Sequence, residues 1–147
     1  MRINPFDGLV LREQKRYYRK SQKVIQSRCF LQPKTSEPSG IRDIAMIKLF
    51  QTCHLETHQL QSLNVKDIDL ETGTITVLNR RGNKGIRFMS DEDIPVIRRW
   101  MNVRLLFASN TEAIFVSLHK NSGRKEPGTR LSRRGIRMIL GKYISKK

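Results

Sequence analysis

The sequence predicts an α+β fold in which helices pack around a small three-stranded antiparallel sheet. Two observations carry this prediction. Residues 74–78 alternate with β-branched side chains between two turn sequences, and the segments on either side repeat apolar residues at helical spacing. With 147 residues, the chain is long enough for one domain with its own hydrophobic core.

A buried helix is predicted to begin after residue 40. Residues 41–50 carry apolar side chains on nearly every side, as in a helix at the centre of a core. The preceding residues 32–40 contain two prolines and a glycine and indicate a linker. We therefore predict a basic linker or arm over residues 1–40 and a folded domain over residues 41–147. Within the arm, a short helix over residues 21–31 would turn Val24, Ile25 and Leu31 inward.

The sheet is predicted to follow a shorter helix that Thr57 caps, with Leu60 and Leu63 on one side. Turn sequences at residues 71–73 and 79–85 separate three strands. The apolar side chains that we expect to hold this hairpin to the core are Ile75, Val77, Ile86 and Phe88.

Two further helices are predicted after the sheet. Residues 90–93 supply a cap and an acidic first turn for the first of them. Its inward stripe is Ile94, Ile97, Met101 and Leu105, with Trp100 also in the core and Arg98, Arg99 and Arg104 outside the stripe. A short buried segment over residues 113–116 follows. Ser132 caps the last helix, which turns Ile136, Ile139, Leu140, Tyr143 and Ile144 inward.

Net charge indicates the class of partner. The chain has 29 Lys and Arg against 13 Asp and Glu, a net charge of +16, so we expect it to bind a polyanion. The cations expected to contact the phosphates of a nucleic acid lie in an N-terminal run, the second hairpin and the last helix. They are Lys15, Arg16, Arg19 and Lys20; Arg80, Arg81, Lys84 and Arg87; and Arg133, Arg134 and Arg137.

Metal chemistry is not predicted. His54 and His58 stand four residues apart, but Glu56 lies between them in the wrong order for a zinc protease helix, and no third ligand is evident. Cys29 and Cys53 follow no metal or disulfide spacing and are expected to be buried thiols. No cofactor and no membrane partner are expected, and the predicted location is the cytoplasm.

Three segments together resemble the first half of the catalytic domain of tyrosine recombinases, the phage integrase family. They are residues 42–47 (Arg-Asp-Ile-Ala-Met-Ile), residues 60–77, and residues 81–84 (Arg-Gly-Asn-Lys). Residues 4–9 also resemble the linker that precedes that domain. The resemblance implies a partial integrase-like catalytic domain. In the intact family, DNA strand exchange proceeds through a phosphotyrosine, without a metal or nucleotide cofactor.

The sequence departs from the family at the residues that cleave DNA. Residues 54–60 correspond to Gly-Leu-Arg-x-Ser-Glu-Leu, and the phosphate-clamping arginine is replaced by Glu56. The family's general-acid lysine corresponds to Arg81, which holds phosphate but is a poor proton donor. We expect the chain to stop before the family's His-x-x-Arg box and its nucleophilic tyrosine. Tyr143 is no substitute, since helical spacing places it on the apolar face.

These observations predict a DNA-binding fragment of a tyrosine recombinase that binds double-stranded DNA and cannot cleave it alone. A second reading is a stand-alone regulator that occupies recombination sites, self-associates or pairs with a full-length recombinase. A third is an unrelated basic RNA-binding protein, which the net charge alone would equally allow.

Overall fold

The computed structural model describes residues 30–108, 111–118 and 128–144. The helices are α1 (Pro38–Gln51), α2 (Thr57–Ser62), α3 (Asp93–Arg104) and α4 (Arg133–Tyr143), and the strands are β1 (Ile68–Asp69), β2 (Thr74–Leu78) and β3 (Lys84–Phe88). The predicted α+β class is confirmed. Most of the helix predicted over residues 21–31 lies outside the described residues, and Leu31, expected to face inward, is 56% exposed.

Helix α1 is the centre of the core, as predicted. Every residue from Gly40 to Ile47 is buried. The helix begins at Pro38 rather than after residue 40, because proline fits the first turn of a helix, where its missing N–H is not needed. At Gly40 a Cβ would lie 1.6 Å from the carbonyl oxygen of Lys34, so the incoming chain can pass this close only to a glycine.

The sheet has the order β1-β2-β3 with antiparallel pairs, as predicted. Ile75 and Val77 are buried, but Ile86 is 59% and Phe88 is 71% exposed. The prediction that Ile86 and Phe88 face the core is therefore wrong. The register explains the error, since directly paired residues share a face and Ile75 pairs with Arg87 whereas Ile86 pairs with Thr76.

The N-cap of helix α3 is Glu92, within the predicted residues 90–93 and without a side-chain cap hydrogen bond, and the buried face of the helix is rotated from the predicted stripe. The Ser90 hydroxyl oxygen accepts a hydrogen bond of 3.2 Å from the Asp93 N–H. The buried residues of the helix are Asp93, Ile97, Trp100 and Arg104. Leu105, predicted to face inward, is instead 69% exposed.

Two polar side chains account for this rotation, because both donate hydrogen bonds to residues 113–116, the segment of chain that crosses α3. The Trp100 indole N–H donates to the Ile114 carbonyl at 3.0 Å, and Trp100 is in the core as predicted. Arg104 is only 4% exposed, and its Nε donates to the Ala113 carbonyl at 2.7 Å. The prediction that Arg104 lies outside the buried face is wrong, since buried backbone carbonyls there need donors.

The crossing segment also anchors the start of α4. Residues 113–116 are buried, as predicted, and form isolated bridges with Asn64 and Arg130. Arg130 donates to the Gln61 carbonyl at 2.8 Å, which ties the approach to α4 to the end of α2. Helix α4 then begins at the predicted cap, where the Ser132 hydroxyl oxygen accepts from the Gly135 N–H at 3.1 Å.

Within the described ranges, no helix combines the length and apolar character required to cross a bilayer.

Candidate nucleic-acid interface

A cavity of about 890 Å³ lies between α2, the tip of the β2–β3 hairpin and α4. Three arginines line it: Arg80 comes from the hairpin, and Arg133 and Arg137 come from the first half of α4. These residues are far apart in the sequence, and the packing of α4 against α2 brings them to one place. Of the seven predicted cations that the structure describes, these three line the cavity.

The cavity also has an apolar side and a polar side. The apolar residues are Phe50, Leu78, Leu140 and Ile144, and the neutral polar residues are Thr57, Gln61, Ser62 and Asn79. Leu78, at the end of β2, is 44% exposed beside the hairpin turn. Sequence reasoning did not identify the neutral polar residues, since isolated Thr, Gln, Ser and Asn side chains are ordinary at helix ends and turns.

Helix α4 concentrates positive charge at its N-terminal end. Arg133 and Arg134 occupy its first turn, and no acidic residue lies there to balance them. The helix dipole already makes this end partly positive, and acidic side chains are the usual companions of such an end. The charge therefore favours an anion at this edge of the cavity.

Glu56 contacts the side chains of His58 and Arg80 at the opposite edge of the cavity. Its Oε2 lies 3.1 Å from His58 Nδ1 and 3.9 Å from Arg80 Nε. The Glu56 N–H donates to Gln59 Oε1 at 2.8 Å. The cap of α2 is thus Glu56, and the prediction of Thr57 is wrong, because Glu56 is still extended and Thr57 is the first helical residue.

The hairpin turn is ordered by one side chain. Asn79 Oδ1 accepts from the backbone N–H groups of Arg81 and Asn83, each at 2.9 Å. Gly82 has a φ of +84°, a left-handed conformation that glycine adopts without strain. The turn therefore keeps its shape through the Asn79 side chain and the backbone, without needing the long side chains at its tip.

The other predicted cations are dispersed. Arg81 and Lys84 are exposed on the hairpin, and Arg134 is exposed on α4, away from the cavity lining. Arg87 is half-buried on the core side of the sheet, where its Nη1 donates to the Ile86 carbonyl at 3.4 Å. The N-terminal cations Lys15, Arg16, Arg19 and Lys20 lie outside the described residues.

Tyr143 at the end of α4 is tied to the core. Its hydroxyl donates to Asp43 Oδ2 at 2.7 Å, and Asp43 Oδ1 in turn accepts from Arg42 Nε at 2.9 Å. Burial, together with the hydrogen bond to Asp43, raises the pKa of Tyr143 to about 12. At neutral pH the phenol is therefore protonated and engaged with the core.

The candidate metal and thiol residues show ordinary structural roles. Among the residues that the structure describes, no three His, Cys, Asp or Glu side chains are grouped to hold a metal. His54 is exposed, with a φ of 57°. The prediction that Cys53 is a buried thiol is confirmed, and burial raises its pKa. Cys29 lies outside the described residues.

Comparison with known proteins gives one consistent result. The profile of the phage integrase family matches residues 23–147. The chain is 29% identical over 136 residues to tyrosine recombinase XerC of Histophilus somni (strain 2336), covering 92% of this chain and 43% of that protein. It is 28% identical over 146 residues to XerC of Salmonella typhi, covering 98% of this chain and 48% of that protein. The chain thus spans about half the length of these relatives.

Solved structures show the same fold. The crystal structure of XerA recombinase aligns with a TM-score of 0.57 and 23% identity, covering 84% of this chain and 39% of that one. XerH site-specific recombinase, bound to palindromic difH substrate in a post-cleavage complex, aligns with a TM-score of 0.53 and 17% identity, covering 86% of this chain and 35% of that one.

Proposed function

Because the chain belongs to the phage integrase family of tyrosine recombinases, we propose that it contacts duplex DNA in site-specific recombination and does not cleave a strand by itself. The observation that carries the proposal is the convergence of Arg80, Arg133 and Arg137 on one cavity. Guanidinium groups bind phosphate oxygens in a fixed, forked geometry, and contacts to phosphate provide most of the affinity of non-specific DNA binding.

Two further observations support a DNA partner. The net charge of +16 attracts a polyanion over a long range. XerH, which shares the fold, has been solved with its difH substrate. A duplex lying across the hairpin and the N-terminal end of α4 would meet the exposed Arg81, Lys84 and Arg134 as well as the cavity.

The absence of cleavage is proposed from the residues at the family's reactive positions. Glu56 stands where the family places its clamping arginine, and a carboxylate repels the phosphate that the arginine would neutralise. Arg81 stands at the lysine position and stays protonated at any accessible pH. The 147 residues contain no His-x-x-Arg sequence, and Tyr143 is engaged with Asp43. Among the residues that the structure describes, we therefore infer that no group is positioned to attack a phosphodiester.

The binding half of the proposal is tested with labelled duplex DNA by fluorescence anisotropy. Raising salt from about 50 to about 200 mM should weaken binding by orders of magnitude, since several phosphate contacts release counterions. In the double variant Arg133→Ala, Arg137→Ala, the slope of log K against log salt should become shallower by up to about two contacts.

The matched control is Lys66→Ala, Arg98→Ala, which removes the same charge from exposed positions outside the cavity. If the control lowered the slope as much as the α4 variant, binding would depend on total charge and not on this interface. A flat salt response of the unaltered chain would overturn the proposal. The cleavage half is tested on denaturing gels with nicked, labelled DNA, where a covalent protein–DNA adduct would contradict it.

A further inference from the structure

The cavity contains apolar residues that contact with phosphate alone would not require. A groove that only follows a duplex backbone needs cations and hydrogen-bond donors, because phosphates lie on the outside of the duplex. Here the arginines form one edge, and Phe50, Leu78, Leu140 and Ile144 form an apolar side. A volume of about 890 Å³ is within the range of pockets that enclose a small organic molecule.

We propose that this cavity binds one unpaired nucleotide of DNA, with its base against Leu78 and the apolar side and its phosphates at Arg80, Arg133 and Arg137. The inference rests on the proposed function and names the form of DNA that the cavity prefers. Proteins that take a base out of the stack hold it between aromatic or apolar side chains and read its edge with hydrogen bonds. Thr57, Gln61, Ser62 and Asn79 provide groups for such hydrogen bonds.

His58 is a polar residue of the cavity wall beside Glu56. Its Nε2 is a buried side-chain atom without a hydrogen-bond partner among the described residues. Its Nδ1 lies 3.1 Å from Glu56 Oε2, so Nε2 is the ring nitrogen that still lacks a polar partner there. Each of the four bases carries both an N–H donor and an acceptor, so a base can pair with Nε2 whichever role that atom takes, once the ring turns it toward the cavity. An acidic peptide could also fill the apolar side, meet the arginines and offer backbone N–H groups, so the choice of DNA rests on the proposed function and the peptide is an outcome of the test.

The test compares three labelled DNA probes of equal length, measured with the full 147-residue chain. One is fully paired, one carries a single unpaired adenosine, and one carries an abasic nucleotide at the same place. The unpaired adenosine should increase affinity roughly tenfold over the paired duplex, as expected for one base on an apolar surface. The abasic probe should bind like the paired duplex, because it presents the same phosphate contacts without a base.

Two variants locate the effect. Leu78→Ala removes an exposed part of the apolar wall, and Ile86→Ala is its control, since Ile86 is exposed on the outer face of the sheet. Gly141→Leu fills the cavity from α4, where an added Cβ meets no atom within 4 Å, so the fold should tolerate it. Both cavity variants should bring the affinity ratio of unpaired to paired probe to about one, and Ile86→Ala should leave the ratio unchanged.

Equal affinity for the three probes, or a preference that survives both cavity variants, would overturn the inference while leaving the proposed function intact. Failure to bind any of the three probes would overturn the proposed function and the inference together. Leu78-dependent binding of a labelled acidic amphipathic peptide, without any preference among the DNA probes, would assign the cavity to a protein partner and would also overturn the inference.

Discussion

The arginines of this protein form two groups that share a charge and differ in their partners. Arg42, Arg104 and Arg130 donate to backbone carbonyls inside the fold: Arg42 to Val116, Arg104 to Ala113 and Thr111, and Arg130 to Gln61 and Leu63. Arg80, Arg133 and Arg137 line an open cavity. The first group donates hydrogen bonds to backbone that has no regular hydrogen-bonding pattern of its own. The second group lines an open cavity that an external anion can enter.

This difference shows why net charge alone overstates the surface available to a polyanion. Arg42 and Arg104 contribute to the total of +16 but are less than a tenth exposed. Burial lowers the pKa of Arg104, and its hydrogen bonds to two carbonyls stabilise the charged form in that position. An arginine stabilises this fold where irregular backbone is buried, and it can bind DNA only where its guanidinium meets solvent.

The largest expected effect is on the buried group. Arg104→Met should lower the free energy of unfolding by about 3 kcal/mol, because the carbonyls of Ala113 and Thr111 lose charged donors. Urea denaturation measures the change. Arg98→Met, at an exposed position of the same helix, should stay within about 0.5 kcal/mol. If Arg104→Met were as stable as the unaltered chain, the distinction between the two groups of arginines would fail.

A smaller effect is expected at Tyr143, whose hydroxyl is hydrogen-bonded to Asp43 and, through Asp43, linked to the buried Arg42. Tyr143→Phe should cost about 1 kcal/mol, the typical net value of one hydrogen bond. The folded pKa of about 12 lies above the ordinary tyrosine value near 10. The stabilisation is therefore fully present below pH ~10 and is lost as pH rises toward ~12.

The difference in unfolding free energy between the unaltered chain and Tyr143→Phe, followed by urea denaturation across this pH range, isolates Tyr143 from other groups that titrate in both proteins. A difference that stayed constant with pH would contradict the raised pKa.

The smallest effect on stability is expected at the hairpin tip. Arg81→Ala, Lys84→Ala should change the free energy of unfolding by less than about 0.5 kcal/mol, since both side chains are exposed and Asn79 orders the turn. DNA affinity should fall, and the salt slope should become shallower by up to about two contacts. Unchanged affinity and slope would show that the tip is a solvated turn and would restrict the interface to the cavity.

The sequence by itself determined the elements whose signals are local. Helix α1 followed from a dense run of apolar residues, the start of α4 from Ser132, and the strand order from turns beside a β-branched run. Each of these signals spans a few residues. Capping, helical periodicity and turn geometry all act within the same stretch of chain that carries the signal.

Tertiary structure alone decided which faces are buried and which distant residues meet. The alternation of apolar and polar residues in β3 defined two faces of the strand. The register of β3 against β2 decided that the face with Ile86 and Phe88 is exposed to solvent. Periodicity in α3 predicted that Leu105 is buried. Arg104 is buried instead, because it donates hydrogen bonds to the carbonyls of Ala113 and Thr111, later in the chain. Arg80 lines the same cavity as Arg133 and Arg137 because α4 packs beside α2. Such outcomes depend on partners far along the chain, which no local pattern contains.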